Sequence, residues 1–279
     1  GRVYGDDSRE RPTVVCLAGL TRNSADFHAL ALFLSQHPTA PRRVVALDYR
    51  GRGESEFDVD WNNYDPRIEA QDALAFITAI GVHEAGFIGT SRGGLVIFAL
   101  AAMRPALLRA VVLNDIGPVV DARGLIRIRS YVGKLPAPRN FAEAADILKR
   151  ISDAQFTTTI EEGWLRQAHA TWREKDGALI PRYDVNLMRG LALLDLEKPL
   201  PDLWPLFMGL RDIPTFVIRG ANSDLLSADT VVEMVARHPR CEALTVADQG
   251  HAPLLTDAPT MARVATFLDH AEARAPAIA

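Results

Sequence analysis

The feature that most restricts how this chain can fold is a series of short, unbroken apolar runs separated by segments of helical periodicity. Residues 13–17 (TVVCL), 44–49 (VVALDY), 86–89 (GFIG) and 110–113 (AVVL) are such runs, and 215–219 (TFVIR) and 243–246 repeat the pattern towards the end. A strand with one face in water alternates apolar and polar residues, whereas a strand covered on both faces does not. Continuous runs therefore predict an α/β fold, with a mostly parallel central sheet and helices on both faces. The intervening segments fit the helical role. Phe27, Leu30, Ala31 and Leu34 make one helix face. Asp65-Pro66 opens a second helix with Ala70, Ala73, Leu74 and Ile77 as its buried stripe, and Gly81 is placed to end it in a left-handed cap. Residues 93–103 are apolar all round, as in a buried helix. Val231, Met234 and Val235 mark one later helix, and Met261, Val264, Ala265 and Leu268 the last.

The rhythm breaks between Val119 and Arg211, where helical patterns at roughly 122–133, 141–151 and 161–175 lead to a proline-rich exit at Pro199, Pro201 and Pro205. The expected organisation is a core domain of residues 1–118 and 212–279 carrying a helical cap of residues 119–211. At 279 residues the chain can bury a large core. Its net charge of -4 gives no footprint for nucleic acid, and its longest apolar run, Leu95 to Met103, is about half of what a bilayer span needs. Cys16 and Cys241 each sit in a strand-like run, so no disulfide framework is expected, and no secretory signal is visible. A cytoplasmic protein acting on a small molecule fits these features. Oligomeric state is not legible in them.

The chemistry concentrates at the ends of the strands. Gly89-Thr90-Ser91-Arg92-Gly93 is a G-x-S-x-G pattern lying directly between a strand and the buried helix. A sharp turn there lifts the serine hydroxyl above the sheet edge, and the flanking glycines avoid clashes with neighbouring backbone. The helix N-terminus beneath supplies free N–H groups for a developing oxyanion. A serine nucleophile needs a base. His251 follows the 243–246 strand in a loop at the same sheet edge, while the other six histidines lie within or beside helices. An acid must then hold the imidazole. Asp224 follows the 215–219 strand and is the expected partner; Asp115, ending the 110–113 strand, is the rival. No H-E-x-x-H motif or clustered His/Cys/Asp set points to a metal, and no cofactor motif is recognised.

At these residues the chain resembles the α/β-hydrolase superfamily, particularly its cap-bearing bacterial serine hydrolases. The order Ser91, Asp224, His251 is that superfamily's order. The segment from Asp48 to Ser55 resembles its D-x-R-G-x-G-x-S loop, and Gly250-His251-Ala252-Pro253 its histidine loop. The resemblance implies an oxyanion hole made by the N–H groups of Leu20 and Arg92. Ala18-Gly19 stands where relatives carry His-Gly, which leaves Leu20 and Thr21 as alternatives for the first donor. A serine nucleophile separates the chain from the aspartate-using haloalkane dehalogenases and epoxide hydrolases.

The expected activity is hydrolysis of a small carboxylic ester or lactone through an acyl-enzyme. Two other functions compete with it: carbon–carbon hydrolysis of meta-cleavage-type diketones, and a ligand receptor with little turnover. Trp164, Trp172 and Trp204 either line an apolar pocket or pack the cap onto the core. Arg22, three residues after Gly19, either meets a substrate carboxylate or pairs with Asp26. Arg123, Arg127 and Arg129 read as a solvated helix face.

Overall fold

A computed structural model describes residues 1–6 and 11–273. The chain runs through β1 (Arg2–Tyr4), β2 (Thr13–Leu17), α1 (His28–Ser35), β3 (Val44–Leu47), α2 (Pro66–Ala79), β4 (Ala85–Thr90), α3 (Arg92–Met103) and β5 (Leu108–Asn114). It then leaves the sheet for α4 (Ala122–Tyr131), α5 (Phe141–Ser152), α6 (Glu161–Thr171), the hairpin β6 (Trp172–Lys175) and β7 (Ala178–Pro181), and short α7 (Met188–Ala192) and α8 (Trp204–Met208). It returns as β8 (Thr215–Gly220), α9 (Ala228–Arg237), β9 (Cys241–Val246) and α10 (Ala258–Ala273).

The sheet order is β1-β3-β2-β4-β5-β8-β9, parallel except for the edge strand β1, which runs antiparallel to β3. Alternate residues of one strand serve opposite cores. Val15 and Leu17 pack with α2 and α3 through Ala70, Ala73, Ile77, Val96 and Leu100. Val14 and Cys16 pack with α1 and α10 through Leu30, Leu34, Val264 and Leu268. Both faces are apolar because both are covered, which is why these strands read as continuous runs. From β2 the chain steps one way to β3 and then back past β2 to β4. The crevice beyond the carboxyl ends of β2 and β4 is therefore the topological switch point, where such sheets place their ligands.

Local signals behave as their physics requires. Asp65 accepts from the Arg67 N–H and Pro66 occupies the first turn of α2, while Gly81 takes φ +73 just past its end. Three features depart from the sequence reading. Strand β1 has only three residues and no periodicity to show. Residues 172–175 continue the helical pattern in sequence but form β6, because Arg173 and Lys175 pair with Ile180 and Ala178 across a tight Asp176-Gly177 turn. Val235, expected on the inner side of α9, is exposed, while Val231 and Met234 are buried. Both cysteines lie on strands and are free thiols. Among the described residues, no helix is long and apolar enough to cross a membrane.

The tightest backbone approach lies where α3 starts beneath β2. A Cβ on Gly93 would sit 2.0 Å from the Leu17 carbonyl oxygen, whereas one on Gly81 would meet nothing within 4 Å. Gly93→Ala should therefore cost about 3 kcal/mol or more in denaturant melts, through backbone that cannot yield. Gly81→Ala should cost about 1–2 kcal/mol, from its positive φ alone.

Candidate active site

Ser91 sits at φ 51 and ψ -113, between the last residue of β4 and the first of α3. Few non-glycine residues tolerate this region, and the surroundings hold it there. The Ser91 N–H donates to the Asn114 carbonyl at 2.9 Å, and the Gly94 N–H donates to the Ser91 carbonyl at 2.9 Å. Gly89 and Gly93 face each other so closely that a Cβ on Gly89 would lie 2.6 Å from the Gly93 backbone. The turn thus aims Oγ outward, over the free N–H groups of α3.

His251 comes from the loop after β9. The Ser91 hydroxyl lies 2.9 Å from its Nε2, and its Nδ1 lies 2.7 Å from Asp115 Oδ2. With Nδ1–H donating to the carboxylate, Nε2 is left as the acceptor facing the serine. Asp115 is fully buried. Its Oδ1 accepts from the Gly220 N–H at 2.8 Å, and Oδ2 also accepts from the Ser223 hydroxyl at 2.5 Å. Its charge is thereby dispersed over three donors from two loops, after β8 and after β9.

The acid beside the histidine is therefore Asp115 and not Asp224. The loop after β8 turns away, with the Asn222 N–H donating to the Gln249 carbonyl, and offers Asp115 a backbone N–H and a hydroxyl in place of a carboxylate of its own. Asp224 instead meets Arg127 of α4 in a forked pair at 2.6 and 3.0 Å. Arg127 is consequently a docked residue and not part of a solvated face, whereas Arg123 pairs locally with Asp121 at the surface. Burial opposes ionisation of Asp224, but the Arg127 pair, helped by the Gln155 amide, outweighs it and holds the carboxyl below its ordinary range. Whatever stability this pair adds is complete at neutral pH and is lost only as pH falls through the depressed value.

Sequence reasoning missed Gln155. It lies just after α5, is buried, and its Oε1 accepts from the His251 N–H at 3.1 Å. Its own carbonyl accepts from the Asn222 side chain, and nearby Thr157 bonds Asp248 through backbone and side chain. Asp224 therefore reaches the histidine only indirectly, through Gln155. Nothing in the local sequence marks a glutamine between two helical segments for this role.

Ser91 and His251 open onto a cleft of about 190 Å³. The loop after β2 lines one side with Leu20 and Arg22, and Ile128, Tyr131, Leu148, Phe156 and Trp164 line the other. Trp164 is buried edge-to-face against Phe156, so it packs and lines at once; Trp172 packs in the same cluster without reaching the cleft. Arg22 lines the cleft with its guanidinium already paired. Its Nε donates to Asp26 at 2.7 Å and its Nη2 also binds Asp26, while Thr171 and Gln167 take further N–H groups at 2.6 and 2.5 Å. Among the described residues, no group of three or more His, Cys, Asp or Glu is placed to hold a metal ion.

The comparisons with known proteins agree with this architecture. The profile of the alpha/beta hydrolase family matches residues 14–265, and the chain belongs to that family. It is 33% identical over 262 residues to a 3-hydroxybutyrate-oligomer hydrolase of Cupriavidus necator, covering 91% of this chain and 87% of that protein. It is 26% identical over 251 residues to an sn-1-specific diacylglycerol lipase of Mus musculus, covering 88% and 77%. Among solved structures, an alpha/beta hydrolase from Novosphingobium aromaticivorans superposes with a TM-score of 0.87 at 37% identity, covering 96% of this chain and 92% of that one. These relatives place the protein among hydrolytic enzymes.

The acid's position has a direct spectroscopic consequence. The His251 Nδ1 proton should resonate far downfield of the amide envelope, with its shift strongly altered or lost in Asp115→Asn and retained in Asp224→Asn. The opposite pattern would return the acid to the loop after β8.

Proposed function

We propose that this protein hydrolyses neutral carboxylic esters through an acyl-enzyme on Ser91, with His251 as general base and Asp115 as the acid that orients it. The observation that carries the reading is the unbroken relay from Asp115 through His251 to Ser91, opening onto a largely apolar cleft. Oγ attacks the ester carbonyl while its proton passes to Nε2, and Asp115 stabilises the imidazolium that forms. The oxyanion is received by backbone N–H groups of Leu20 and Arg92. Collapse of the tetrahedral intermediate breaks the acyl–oxygen bond, and Nε2 returns the proton to the departing alkoxide. Water, deprotonated by the same Nε2, then attacks the acyl-enzyme, releasing the acid and restoring the Ser91 hydroxyl.

The relatives support an ester. The units of a 3-hydroxybutyrate oligomer and the acyl chains of a diacylglycerol are both joined by carboxylic ester bonds. In this reading the 119–211 segment acts as the cap: it covers Ser91 and supplies the apolar acyl wall of Ile128, Tyr131, Leu148, Phe156 and Trp164. Arg22 contacts substrate as half of a neutral pair. Because Asp26 already compensates its charge, the polar end of the cleft suits a hydroxyl or a second ester better than a free carboxylate.

A fluorophosphonate should label Ser91, and Ser91→Ala should lower kcat for p-nitrophenyl esters by at least ~10³-fold. Asp115→Asn should cost ~10³–10⁴-fold and Asp224→Asn much less. Labelling elsewhere, or equal losses at the two aspartates, would overturn the assignment. Faster turnover of a meta-cleavage dienoate than of any ester would move the reaction to carbon–carbon hydrolysis, and tight binding without turnover would make the protein a receptor. Asp26→Asn frees the Arg22 charge and should raise kcat/KM for acidic relative to neutral esters by roughly 10-fold. No change in that ratio would remove Arg22 from the substrate site.

A further inference from the structure

The D-x-R-G-x-G-x-S loop carries an arginine, Arg52, that takes no part in the relay, yet its side chain is completely buried. Its Nε donates to the Leu20 carbonyl at 2.6 Å, its Nη1 donates to the Arg50 carbonyl at 2.9 Å, and the same Nη1 is ion-paired with Glu69 Oε1 at 2.8 Å. Glu69, on α2, is equally buried. Its other oxygen accepts from Arg92 Nε at 2.7 Å, and Arg92 Nη2 also donates to the Tyr64 carbonyl at 2.6 Å. Two guanidinium groups and one carboxylate thus lie together in the interior, with a net charge of +1.

Burying three charges is costly, and apolar side chains of similar volume often serve stability as well or better. What this cluster does that an apolar one would not is hold particular backbone atoms. The Leu20 carbonyl shares a peptide plane with the Thr21 N–H and is one residue's dihedrals from the Leu20 N–H, the two alternatives for the first oxyanion donor, so a donor on that carbonyl fixes the first and restrains the second. At the other end, Glu69 and Tyr64 anchor the side chain of Arg92, whose N–H is the second donor. The two donors come from different loops, after β2 and after β4, and Arg52–Glu69–Arg92 is a continuous ion-paired link between them.

We propose that Arg52 is a positioning residue for the oxyanion hole: through Leu20 directly, and through Glu69 to Arg92, it sets the spacing of the two donors. The proposal rests on the acyl-enzyme reading above. Rate depends on donor placement because an oxyanion hole works by preorganisation; losing a donor costs about 10²–10³-fold, and misplacing groups by about 1 Å can cost ~10².

The test compares Arg52→Met and Arg52→Lys with the wild type on p-nitrophenyl esters, measuring kcat, KM, Tm and the affinity of a trifluoromethyl ketone, which forms a tetrahedral alkoxide on Ser91. Arg52→Met should lower kcat by ~10–100-fold with KM within ~3-fold, and weaken the ketone in the same proportion. Arg52→Lys can keep the Glu69 pair but cannot also reach the Leu20 carbonyl, so its kcat should fall as well. An unchanged kcat in a folded variant, or a loss confined to KM, would overturn the proposal. If Arg52→Met does not fold, Arg52→Lys decides; if neither folds, the cluster is purely structural and the proposal fails. Failure of the acyl-enzyme reading would show separately, in the wild type and Ser91→Ala, as absent ester turnover or an unlabelled Ser91.

Discussion

The buried carboxylate of Asp115 is the interaction on which the geometry of the site depends. A carboxylate with no exposed surface must be solvated by the protein itself. Asp115 is solvated by the Gly220 N–H, the Ser223 hydroxyl and the His251 Nδ1–H. The donors come from the loops after β8 and β9, and the carboxylate from the end of β5, so meeting the needs of one charge brings the ends of β5, β8 and β9 into a fixed relation. The adjoining Asn114 extends the arrangement: its carbonyl accepts from the Ser91 N–H and its side-chain amide donates to the Pro253 carbonyl. One strand end thereby aligns both Ser91 and His251.

Much of this was legible in the sequence because it follows from short-range rules. Continuous apolar runs specify strands covered on both faces, and Asp65-Pro66 with Gly81 brackets a helix by capping chemistry alone. Ser91 and His251 are identifiable because each follows a strand into a glycine-bearing loop at one sheet edge. What the sequence leaves open depends on contacts between distant segments. Two aspartates end two adjacent strands, and only the course of the 220–224 turn decides that Asp115 faces the histidine while Asp224 faces Arg127. The β6–β7 hairpin is different: residues 172–175 continue a helical pattern, but the local Asp176-Gly177 turn, with both residues at positive φ, reverses the chain and pairs them with 178–181.

Charge is balanced at both ends of the cleft. Near Ser91, two buried carboxylates, Glu69 and Asp115, stand against the guanidinium groups of Arg52 and Arg92. Farther out, Arg22 is matched by Asp26 and further held by Gln167 and Thr171. Long-range attraction of anions into the cleft is thus muted at both ends.

Gln155 has a consequence for how such a protein can diverge. The 119–211 segment does not merely rest on the sheet; through Gln155 it completes the hydrogen bonding of the His251 backbone, and through Arg127 it takes up a carboxylate of the adjacent loop. The segment is therefore a poor candidate for modular exchange. A graft from a relative would bring a new cleft wall but would also strip the histidine loop of its partner, unless an equivalent amide came with it at the end of α5. Variation in specificity is thereby channelled towards point changes along the cleft wall, at positions such as Ile128, Leu148 and Trp164, and away from wholesale replacement of the segment that carries them.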